Sequence, residues 1–141
     1  MTLAQKTLQT GRLIHLALLF AAFAYLALPL LVGTPKTTVP PAPMIMAMGF
    51  VSVSTMGAAY FIRARLVQPA SEKLAGNPED AGAAGRWRTG VIISLALCES
   101  VALFGFLLRF MGGSWNICAV FYTVGIFFLL AWTPRLELPP A

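Results

Sequence analysis

The sequence predicts an all-α polytopic membrane protein, a single domain over residues 1–141 in which four transmembrane helices form two antiparallel hairpins with both termini cytoplasmic. Three observations carry this. The chain is 58% hydrophobic and 11% charged, with a mean hydropathy of +0.79, well displaced from soluble-domain composition. Four stretches approach the roughly 20 apolar residues needed to cross a hydrocarbon core about 30 Å thick. The basic residues, finally, gather on one side of those stretches.

The first span is expected over 13–32, Leu13 to Val32, with Pro29 kinking or terminating it near its end. Lys6 and Arg12 before an apolar run, with Ala22-Phe23-Ala24 as a small-x-small site, also fit a cleavable leader. Because the apolar run continues to Val32, the span is the preferred reading. The connection over 33–43 is proline-rich, and an extended, stiff strap is expected there.

The second span is expected over 44–62. The segment 63–89 that follows is polar, rich in Ala and Gly, and carries Glu72, Glu79 and Asp80. It reads as a solvated cytoplasmic linker with a short helix from Ala70 to Leu74, stopped by Gly76-Asn77-Pro78. The third and fourth spans, 90–108 and 115–133, are joined by a short turn around Gly112-Gly113-Ser114, so they should form a tight hairpin. Trp87, Trp115 and Trp132 fall at span ends, where indole rings favour the water–lipid boundary.

Of the ten Lys and Arg residues, eight fall on the side of the termini and the 63–89 loop, against Lys36 and Arg109 on the other. The positive-inside rule therefore puts the termini in the cytoplasm, and a bacterial inner membrane is the expected location. The net charge of +5 does not point to nucleic acid, because the basic residues are not interleaved with aromatics on one face. A weak internal repeat relates Ile14-His15-Leu16-Ala17-Leu18 to Ile93-Ser94-Leu95-Ala96-Leu97, as a duplicated hairpin would.

Glu99 is the only charge within 90–108. Intramembrane acids are costly and mark an ion relay or an interhelical hydrogen bond. The residues expected within its reach are Ser52, Ser54 and Thr55 of span two, and Tyr122 and Thr123 of span four. Ser94, Cys98 and Ala102 recur every four residues and form a small-residue stripe, while Gly49, Gly57 and Gly125 should let backbones approach closely. Cys98 and Cys118 read as packing residues. His15, the one histidine, is expected at the interface; a lone imidazole cannot supply both axial ligands of a haem, but it is available for one pigment or haem contact shared with another subunit. No metal site or further cofactor is assigned. Neither a nucleophile, a phosphate-binding loop nor paired carboxylates appear, so an enzyme is not expected.

The stretch from Ala96 to Gly105, with Glu99 followed by small and aliphatic residues and then Phe104-Gly105, resembles the acid-bearing helix of rotary ATPase proteolipids. The resemblance covers about ten residues and implies an ion-carrying role for Glu99 in a ring subunit. The overall layout also looks like small four-span bacterial membrane proteins of no assigned function. The expected function is a non-catalytic integral membrane subunit that stabilises a larger energy-converting complex, with the lipid bilayer and either other membrane subunits or copies of itself as partners. A proteolipid-like proton or sodium carrier is the alternative.

Overall fold

The computed structural model describes residues 1–33 and 40–136, so most of the expected proline-rich strap lies outside the described residues. All the regular structure described is helical. α1 covers Leu3–Val32, α2 covers Ala42–Ile62, a π-helical segment covers Arg63–Val67, α3 covers Gln68–Gly76, α4 covers Ala81–Phe110 and α5 covers Trp115–Ala131. Three rods, Leu3–Val32, Ala42–Gly76 and Ala81–Phe110, are long and apolar enough to cross a bilayer, and α5 is a shorter apolar helix of 17 residues.

The helices extend well beyond the expected spans. α1 starts at Leu3 rather than Leu13, because Thr2 and Gln5 form a reciprocal capping box at its N-terminus. Nor does Pro29 end it, since the helix runs on to Val32. The expected linker over 63–89 is mostly helix. Pro69 lacks an N–H and its ring would crowd the carbonyl four residues back, at Arg65; the chain answers with a wider turn, in which the Gln68 N–H reaches Arg63 O five residues back. α2, the π segment and α3 thus form one rod of 35 residues, about 50 Å long. Asn77 ends it, and the Asp80 side chain accepts from the Ala83 N–H at 2.9 Å to start α4 nine residues earlier than expected.

The extra turns of α1, α3 and α4 meet at one end of the bundle. There the Ala4 N–H donates to Pro78 O at 3.0 Å and the Leu3 N–H donates to Glu79 Oε1 at 3.2 Å. With the capping box, these bonds satisfy the N–H groups that a helix start otherwise leaves open. Trp87 is fully buried in this end, and two of its ring carbons lie 3.0 Å from where a Cβ on Gly11 would stand.

α4 is the central helix. Its buried face includes Trp87, Val91, Leu95, Cys98, Ala102 and Leu108, and α1, α2 and α5 pack around it. The α4–α5 turn is a Schellman motif: Gly112 has φ +89°, its N–H donates to Arg109 O at 3.1 Å, and the Gly113 N–H donates to Leu108 O at 2.8 Å. This gives the tight hairpin expected there.

Candidate functional site

The α4–α5 crossing is built from small residues. A Cβ on Gly125 would stand 2.7 Å from the Ala102 N, and one on Gly105 would stand 3.1 Å from Cys118 O. Ser94, Cys98 and Ala102 are all buried, so the expected stripe lies in the core and Gly125 meets it. Gly49 and Gly57 do not behave as expected, since nothing lies within 4 Å of a Cβ built on either. They sit on parts of α2 that no helix covers. Gly49 instead borders an apolar groove of about 300 Å³ between α2 and α5, floored by Val101.

Glu99 lies beside the buried face of α4 and is half-buried. Its carboxyl neighbours the Tyr25 hydroxyl of α1. Of the five expected partners, Ser52, Ser54 and Tyr122 make hydrogen bonds elsewhere. Ser52 Oγ donates to Met48 O at 2.8 Å and Ser54 Oγ to Phe50 O at 3.0 Å, each bonding back into its own helix. Thr55 is half-buried on α2, and Thr123 is exposed. The Tyr122 hydroxyl donates to the backbone carbonyl of Tyr25 at 3.0 Å.

That last bond has a sequence cause. Tyr25 O would accept from the N–H of residue 29, and Pro29 has none. Tyr122 reaches across from α5 and satisfies the freed carbonyl, as buried helices with internal proline require. Tyr25 therefore joins three helices: its carbonyl receives α5, its hydroxyl faces Glu99, and its ring lies 5.5 Å from that of Phe106 on α4.

His15 is buried, at 5% exposure. Its Nε2 lies 2.7 Å from Leu129 O in the last turn of α5. A carbonyl only accepts, so Nε2 carries the proton and donates. Helix ends leave their last four carbonyls open. Here Phe128 O receives the Trp132 N–H, Leu129 O receives His15 and Leu130 O receives Thr133 Oγ1. With Nε2 committed, only Nδ1 is left for any pigment or haem.

An arginine covers a tryptophan at each end of α5. The Arg63 guanidinium lies 5.0 Å from the Trp132 ring centre, and that of Arg109 lies 4.6 Å from Trp115. Arg109 also donates to Gly113 O at 2.8 Å. Such stacks are worth about 0.5–2 kcal/mol each, more where water is excluded. Among the described residues, no three His, Cys, Asp or Glu side chains gather in one place.

Sequence reasoning missed Tyr25, Arg63 and the buried role of Trp87. For Tyr25 a signal was present, because Pro29 names the carbonyl four residues back as open. No family model, curated protein or solved structure matches the chain.

Proposed function

We propose that this chain is a non-catalytic integral membrane subunit, with its termini on the cytoplasmic side, that packs in and stabilises a larger energy-converting membrane complex. The single observation that carries the reading is the position of Glu99: a carboxyl midway along an apolar helix, only half enclosed by its own chain, with the Tyr25 hydroxyl beside it. A polar group at that depth is costly unless a partner completes its hydrogen bonds. A neighbouring subunit on the α1–α4 side supplies that partner. The length of the three apolar rods and the Arg–Trp stacks about 25 Å apart at the ends of α5 support a bilayer as the surroundings.

Purification in mild detergent tests the proposal. Other subunits co-purify with the wild-type chain and with Glu99→Gln, which keeps hydrogen-bonding ability, and are lost with Glu99→Leu. A chain that always runs as an isolated monomer overturns it.

The same half-exposure favours one second reading, a proton or sodium carrier. A carboxyl open on one side can exchange with a neighbour, and the resemblance of residues 96–105 to proteolipids agrees with that. Here Glu99→Gln abolishes ion flux in reconstituted vesicles while assembly is kept. Unchanged flux removes this reading and leaves the first.

A further inference from the structure

The π segment gives one side of the α2–α3 rod a basic cleft. Arg65 and Leu66 of the π segment, Pro69, Ala70 and Lys73 of α3, and Arg86 of α4 enclose about 60 Å³. At about 10–15 Å³ for each water-sized group, that volume takes the four oxygens of one phosphate. Three cations line it, and among the described residues no carboxylate does. Spacing along a plain α-helix does not align these charges, because eight residues would set Lys73 roughly 80° around from Arg65. The wider π turn advances less per residue and draws the two toward one side.

The surface next to the cleft is apolar. The Arg65 guanidinium lies 5.3 Å from the centre of the Phe61 ring, and Tyr60 and Phe61 are 69% and 58% exposed. From there the surface continues along the apolar length of α2. A charged cleft bordering an aromatic, apolar surface at the end of a membrane-length helix has the layout of an amphiphile: phosphate in the cleft, acyl chain along the helix. Basic pockets between helices near the membrane surface recognise anionic headgroups in this way.

We propose that this cleft binds the phosphate headgroup of an anionic phospholipid, with Arg65, Lys73 and Arg86 holding the phosphate and Phe61 contacting the upper acyl chain. The site rests on the membrane reading above. Arginine suits it because the guanidinium fork meets two phosphate oxygens at once.

Native mass spectrometry of the full chain in mild detergent tests the site, with phosphatidylglycerol, phosphatidylcholine and inorganic phosphate as probes. Phosphatidylglycerol is retained in preference to phosphatidylcholine. Arg65→Gln, Lys73→Gln and Arg86→Gln each weaken its retention roughly five-fold, whereas Arg65→Lys keeps most of it. Arg88→Gln removes the same charge outside the cleft lining and leaves retention unchanged. All three cleft cations are exposed, so the single variants keep the fold. An equal loss with Arg88→Gln, equal retention of phosphatidylcholine, or displacement of the lipid by inorganic phosphate each overturns the proposal. A chain that stays monodisperse without detergent overturns the membrane reading beneath it. A detergent-dependent chain with no headgroup preference overturns this site alone.

Discussion

The Tyr122 hydroxyl donates to Tyr25 O at 3.0 Å, the carbonyl that Pro29 deprives of its helical partner. One residue's missing N–H on α1 is thereby answered by a side chain on α5, and the two helices are fixed in rotation as well as in distance.

Tyr122→Phe keeps the ring and removes the donor, so it should lower stability in detergent by about 1–2 kcal/mol. The same substitution in a Pro29→Ala background should cost less, because an alanine there returns a backbone N–H to Tyr25 O. A double-mutant cycle from thermal or denaturant unfolding reads this coupling. Strict additivity would show that the Tyr122 hydroxyl does not answer the carbonyl that Pro29 frees.

His15→Leu leaves Leu129 O without its partner inside a buried end of the bundle. The expected loss is about 1–3 kcal/mol, accompanied by faster amide exchange in the last turn of α5. Unchanged exchange at Trp132 would show that the imidazole does not secure that turn.

Two glycines on different helices should respond in opposite ways. Gly125→Ala forces a methyl group to within 2.7 Å of the Ala102 backbone and should destabilise by about 1–3 kcal/mol. Gly57→Ala meets open space and should stabilise by up to about 1 kcal/mol through helix propensity. Comparison of the two unfolding midpoints checks both.

Glu79→Ala removes the acceptor of the Leu3 N–H. A lost cap costs about 0.5–2 kcal/mol, and here the loss should be local. Limited proteolysis should cut within the first turns of α1 sooner than in the wild type, with the apolar core still protected.

The apolar stretches of α1, α2, α4 and α5 are legible in the sequence, since hydropathy records what an apolar medium would accept. Their polar extensions are not, because a helix beyond the apolar run is set by caps and by docking. The signals are nonetheless present in Thr2-x-x-Gln5 and in Asp80 before Ala81. Rotation about the helix axis is the harder quantity. α2 and α5 are apolar nearly all round, so no periodicity says which side faces α4; this is why the sequence points Gly49 and Gly57 toward an interface and Glu99 toward Ser52, whereas the fold leaves both glycines open and sets Glu99 beside Tyr25. The Ser94, Cys98 and Ala102 stripe is legible because small residues at fixed spacing mark close approach directly.

The bond from Leu3 to Glu79 joins residues 76 positions apart, and Ala4 depends likewise on Pro78. During synthesis the amides of Leu3 and Ala4 stay open until residues 78 and 79 have been made, so the start of α1 is secured only after α2 and α3 have emerged.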